Sequence, residues 1–126
     1  MNGGTISGNK ATGSLPNGNG GGVVFSSNIT SIFSMSDGTI SGNTAGTDGG
    51  GVYFSGVFAS FTKTGGTIYG NTMDGLTMEP TSLKNEAGGG SGLGHAVYIA
   101  TGTLQRNSTA GPDDELKTSP PTGWDP

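Results

Sequence analysis

Apolar and polar residues alternate along this chain in short runs, and the runs recur. Gly4-Thr5-Ile6-Ser7-Gly8-Asn9 returns as Gly38-Thr39-Ile40-Ser41-Gly42-Asn43 and again as Gly66-Thr67-Ile68-Tyr69-Gly70-Asn71. Between these runs stand Gly20-Gly21-Gly22-Val23-Val24-Phe25, then Gly49-Gly50-Gly51-Val52-Tyr53-Phe54, then the looser Gly94-His95-Ala96-Val97-Tyr98-Ile99. A period of two, bounded by Gly and Asn, predicts strands. No apolar stripe of helical spacing runs for ten residues, and Gly and β-branched residues dominate, so helix is not expected. Alternation places Ile6, Ile40 and Ile68 on one face, with Thr5, Ser7, Thr39, Ser41, Thr67 and Tyr69 on the other. It also turns Val23 with Phe25, Val52 with Phe54 and Val97 with Ile99 inward, and Val24, Tyr53 and Tyr98 outward. A third segment, Phe33-Ser34-Met35-Ser36 and then Phe61-Thr62-Lys63-Thr64, precedes the next Gly-Thr-Ile run. Phe33, Met35 and Phe61 are expected to point in.

Two alternating motifs at a spacing of roughly 30 residues mark a repeat architecture. Each unit would hold three short strands and too few apolar side chains to form a core alone. Stacked units bury them, because like residues then lie over like about 4.8 Å apart. Asn9, Asn43 and Asn71, each following a Gly, are expected to form an asparagine ladder at one corner. Lys63 stands where Met35 stood. Either its stem lies along the core edge with the ammonium in solvent, or the strand has ended before it. The connection from corner Asn to Gly-rich run spans Lys10 to Asn19, then Thr44 to Asp48, then Thr72 to Leu93. The third carries Asp74, Glu79, Lys84 and Glu86 and is expected to project as an edge insertion. Met1 aligns with Met35, so the chain is expected to begin inside a repeat, as a fragment or C-terminal piece whose first layer is uncapped.

Composition narrows the function. Of 126 residues, 27 are Gly and 6 are Pro, a richness that borders on disorder, but only 11% are charged and the aromatics recur at fixed places. With a net charge of −4 and five scattered Lys and Arg, there is no basic stripe for nucleic acid. No apolar run approaches a membrane span, and no signal peptide follows Met1. Cysteine is absent, which rules out disulfides and thiolate metal sites. His95 is the single His and cannot form a multi-histidine site. The glycine triplets lack the following Lys-Ser or Lys-Thr of a phosphate loop. No metal or cofactor is expected.

From Gly38 to Ala45, then through Gly49-Gly50-Gly51-Val52-Tyr53 and Phe61-Thr62, the chain resembles the repeats of large bacterial surface proteins. These are similar to polymorphic outer-membrane-protein and adhesin repeats. Arg106-Asn107-Ser108-Thr109-Ala110-Gly111-Pro112 resembles the terminal unit of such arrays. The resemblance covers most of residues 1–112. It implies an all-β, right-handed, single-stranded parallel β-helix (a β-solenoid), with three short strands per coil and about four incomplete coils. Residues 113–126 would form a capping tail in which Trp124 covers the last layer. The resemblance further implies an exported, cell-surface module.

The expected role is structural or adhesive and non-catalytic. A contact face for glycan or a host-surface protein would be built from Thr5, Ser7, Thr39, Ser41, Thr67, Tyr69, Tyr53, Tyr98, Glu79 and Lys84. Two alternatives compete. A polysaccharide-active enzyme needs paired carboxylates, or carboxylates holding Ca²⁺. Here Asp37, Asp48, Asp74, Glu79, Glu86, Asp113, Asp114, Glu115 and Asp125 fall in loops or the tail. Ice binding would use the row Thr5, Thr39, Thr67, which Tyr69 interrupts beside it. End-to-end self-association through the uncapped first layer is a further expectation.

Overall fold

The computed structural model describes residues 1–14, 18–26, 29–70, 83–88 and 96–106. Among them the chain is all-β, without an α-helix. Ten strands run in order: β1 (Asn2–Ser7), β2 (Lys10–Ala11), β3 (Val23–Ser26), β4 (Ser31–Met35), β5 (Asp37–Ser41), β6 (Thr44–Ala45), β7 (Val52–Lys63), β8 (Thr67–Ile68), β9 (Glu86–Ala87) and β10 (Val97–Arg106). They form three small sheets, in the orders β1-β5-β8, β2-β6-β9 and β10-β7-β3, with β4 also on β7. Every pairing is parallel. Each pass of the chain therefore gives a strand to every sheet, and the next pass lies on it in register.

The register sets like on like. Thr5, Ile6 and Ser7 oppose Thr39, Ile40 and Ser41, while Thr39 and Ile40 oppose Thr67 and Ile68. Val23, Val24 and Phe25 oppose Val52, Tyr53 and Phe54, which oppose Val97, Tyr98 and Ile99. The alternation read from the sequence is realised. Ile40, Val52, Phe54, Phe61, Ile68 and Val97 are fully buried and share one core with Met35 and Ala96. Inside it Phe25 stacks on Phe54, with centroids 4.8 Å apart and planes 5° apart, and Phe33 stacks on Phe61 at 5.1 Å. Stacked aromatic pairs stabilise by about 0.5–1.5 kcal/mol beyond their buried area.

Three expectations need correction. First, the second and third apolar segments are not separate strands in the middle pass. They fuse into the long β7, which β3 and β4 cover in tandem. The third sheet is built instead from the two-residue strands that follow the corner asparagine. Second, the strand runs through Lys63, opposite Met35, and Lys63 is wholly buried. Neither early strand termination nor an ammonium at the surface is observed. Alternation in β7 turns Phe61 and Lys63 to the same side, and the next strand, β10, covers both.

Third, the ladder has a different last rung. Asn71 lies outside the described residues, and Asn85 occupies the corner below Asn43. Asn43 Oδ1 accepts from Asn9 N and Nδ2, each at 3.0 Å. Asn85 Oδ1 accepts from Asn43 N at 2.9 Å and Nδ2 at 3.0 Å. Ala11, Ala45 and Ala87 lie in register one strand apart, and Ala45 and Ala87 are buried. Behind them, a Cβ on Gly46 would lie 2.4 Å from Gly13 O. The triplets Asn9-Lys10-Ala11, Asn43-Thr44-Ala45 and Asn85-Glu86-Ala87 share this pattern. Residues 72–84 of the third connection thus come before this corner, not after it.

Candidate functional site

The structure distributes the sequence candidates over separate sheets. Thr5, Thr39 and Thr67 form an in-register row on the β1-β5-β8 sheet, with Thr5 exposed and the other two half-buried. Ser7 is exposed beside Thr5, but Ser41 is only 3% exposed and offers no contact surface. The chain at Leu83 runs alongside, its carbonyl accepting from Gly42 N at 2.8 Å. Tyr69 is half-buried, and its carbonyl accepts from Asn85 Nδ2. Lys84 is half-buried next to the ladder. Glu79 lies outside the described residues, as do His95, Trp124 and the acidic group at 113–115.

Tyr53 and Tyr98 stand apart from these, on the β10-β7-β3 sheet. Adjacent strands place them side by side, pointing away from the core and half-buried. Their ring centroids are 5.7 Å apart and their planes differ by 25°. Val24 continues the column on β3, 55% exposed. Ser26 and Ser55, two residues beyond Val24 and Tyr53, form a second outward column, which Thr101 continues on β10 after a register shift. Thr101 Oγ1 lies 3.3 Å from Ser55 Oγ and accepts from Gly56 N at 3.0 Å. A flat pair of aromatic rings thus borders a line of hydroxyls.

The turn before β7 delivers an acid to the same rings. Gly49 has φ of +71°, a conformation that side chains rarely adopt, and a Cβ there would meet Val52 O at 2.5 Å and Tyr53 Cα at 2.7 Å. Only glycine lets the backbone fold back against the base of Tyr53. That fold places Asp48, 8% exposed, within electrostatic reach of Tyr98. Asp48 is fixed by its neighbours: its carbonyl accepts from Gly20 N at 2.9 Å, and Thr47 Oγ1 donates to Asn19 Oδ1. Burial first, then the Asp48 carboxylate and the Tyr53 phenol, push the Tyr98 phenol above its ordinary value. The Tyr98 phenol therefore stays a neutral donor at physiological pH.

Sequence reading found the tyrosine pair but missed Ser55, Thr101 and Asp48 as its neighbours. Their signal was present, since Ser26 and Ser55 follow Phe25 and Phe54 at the same offset. It also missed an apolar corner. Between Ser55 and Ser60, β7 inserts residues 56–59 where β10 has only Gly102 between Thr101 and Thr103. Val57 and Phe58 project there, 72% and 67% exposed, and Ile32 on the paired β4 is 66% exposed. Among the described residues no group of three or more His, Cys, Asp or Glu could hold a metal, and no helix is long and apolar enough to cross a membrane. Compared with protein families, with curated proteins and with solved structures, the chain matches none.

Proposed function

We propose that this chain is a structural and adhesive module of a bacterial cell-surface protein, wound as a right-handed parallel β-helix, that contacts glycan without catalysis. The observation that carries this reading is the Tyr53–Tyr98 pair, stacked and turned outward beside the Ser26, Ser55 and Thr101 column. Sugar rings offer an apolar C–H face and a polar rim. Aromatic faces take the first and hydroxyls with a nearby carboxylate take the second. The like-on-like register of three parallel sheets supports the solenoid. The described carboxylates Asp37, Asp48 and Glu86 belong to two different sheets and a turn, which supports a binding rather than a hydrolytic role.

A glycan panel tests the reading. Any glycan bound by the protein should lose about threefold to tenfold in affinity on Tyr53→Ala, the worth of one aromatic contact. Thr39→Ala, on another sheet, should leave the affinity unchanged. A panel without a binder, or binding indifferent to Tyr53, ends the proposal. Ice binding is supported by the aligned Thr5, Thr39 and Thr67. It demands thermal hysteresis that falls on Thr39→Ala.

A further inference from the structure

The chain holds three tyrosines, Tyr53, Tyr69 and Tyr98. Register brings two of them together. Tyr53 on β7 and Tyr98 on β10 are direct partners across adjacent parallel strands, with ring centroids 5.7 Å apart and planes 25° apart. Neither ring belongs to the buried core, and both are half-buried. Each is thus within reach of solvent and held against the other. Tyr69 follows β8, which belongs to a different sheet.

The backbone keeps the pair from drifting apart. One residue earlier, Val52 and Val97 are register partners and fully buried. One residue after Tyr53, Phe54 is fully buried as well. Further along, Thr101 Oγ1 accepts from Gly56 N at 3.0 Å and ties the two strands again. The rings can tilt about their own side-chain bonds while their Cα atoms stay one strand spacing apart, about 4.8 Å.

We propose that Tyr53 and Tyr98 form an oxidative cross-linking site, at which a one-electron oxidant, peroxide acting through a haem peroxidase, joins the two rings and staples the pass carrying β10 to the pass carrying β7. In the step each phenol loses its hydroxyl hydrogen as one electron and one proton and becomes a phenoxyl radical. The two radicals couple through a new C–C bond between ring carbons ortho to the oxygens. Each of those carbons then releases its proton, and each oxygen takes one up to restore the phenol. Two hydrogens leave in all; one peroxide takes them and becomes two waters. Proximity decides the partner. A radical on one ring meets the neighbouring ring far more often than a ring on another molecule, because held partners react as though at very high concentration. The bond closes a long loop, a restraint that stabilises chiefly by limiting the unfolded chain. It needs the ring geometry and no ligand, so it stands or falls independently of glycan contact.

Oxidising the intact protein at micromolar concentration with peroxide and a haem peroxidase tests the site. Trypsin separates the three tyrosines, since cuts after Lys10, Lys63, Lys84 and Arg106 place them in peptides 11–63, 64–84 and 85–106. The expected product is a monomer lighter by two hydrogens, with dityrosine fluorescence, whose digest joins 11–63 to 85–106. It should melt about 10 °C above the untreated protein. Tyr53→Phe keeps a ring without a phenol and should lower the yield of that product about tenfold or more, while Tyr69→Phe should leave it unchanged. Should Tyr53→Phe unfold, the peptide map of the unaltered protein decides. A monomer without the joined peptides overturns the proposal. So does a bond to peptide 64–84, dityrosine formed chiefly between molecules, or a linked product that melts no higher.

Discussion

Two columns of like residues run across neighbouring strands of this protein, and they could hardly be treated more differently. Asn9, Asn43 and Asn85 turn inward at a corner. Asn43 and Asn85 are fully buried, and their amides bond from strand to strand. Tyr53 and Tyr98 turn outward on a flat sheet, half-buried, in contact with each other and with water. Both columns follow from in-register parallel pairing, which repeats whatever residue the sequence supplies. The inward column holds the passes together. The outward one adds little to the fold and is available for contact.

The comparison breaks most completely at Asn43. Replacing it with Ala removes the acceptor of Asn9 N, the donor to Ile6 O and one of the two donors to Asn85 Oδ1, at a position that is itself fully buried. A loss of about 3–5 kcal/mol of stability is expected, read from denaturant midpoints at unchanged slope. Substituting Tyr53 by Ala should cost far less in the same assay, about 1 kcal/mol or below. A destabilisation as large as that of Asn43→Ala would make the tyrosine column structural.

The next largest effect lies under the tyrosines. Gly49→Ala imposes a left-handed backbone on a residue with a Cβ and drives that Cβ into Val52 O and Tyr53. About 1–3 kcal/mol should be lost. Because the turn also sets the position of Asp48, Tyr98 should then titrate closer to its ordinary value. Absorbance of the phenolate during alkaline titration reads this directly.

The smallest effect is the pH dependence that Tyr98 confers. Its folded pKa is raised above the unfolded value of 10.0. The unfolded chain therefore loses this proton first as pH rises, and folding stability that is fully present below about pH 10 declines above it. Tyr98→Phe should flatten that alkaline limb while leaving stability at pH 7 nearly unchanged. A limb of equal slope in the variant would assign it to other groups.

Much of this was legible in the residues themselves. Ile6, Ile40 and Ile68 gave away the first sheet, and the alternation in Val52-Tyr53-Phe54 sorted inside from outside. The corner was harder. Gly70-Asn71 copies the local signature of Gly8-Asn9 and Gly42-Asn43, so position after glycine pointed to the wrong asparagine. The rung is set by the bonds that Asn85 makes to Asn43, 42 residues away, which no local signature marks. Nor could the burial of Lys63 be read from its own neighbourhood. Its enclosure depends on β4 and β10, distant in sequence and brought alongside by register. Local pattern chose the strands, while lengths, corners and enclosure were decided by what lies one pass away.

Parallel pairing without a single hairpin among the described strands has a consequence for how the molecule comes into being. Asn9 finds its partner only 34 residues later, and Asn43 waits 42 more. No strand can rehearse its native contacts with its immediate neighbour in the chain, so folding must begin with long loop closures and is expected to be slow. On a ribosome adding roughly 5–20 residues per second, a circuit waits about two to seven seconds for the one that will lie on it. During that interval its apolar strands are open to proteases and chaperones.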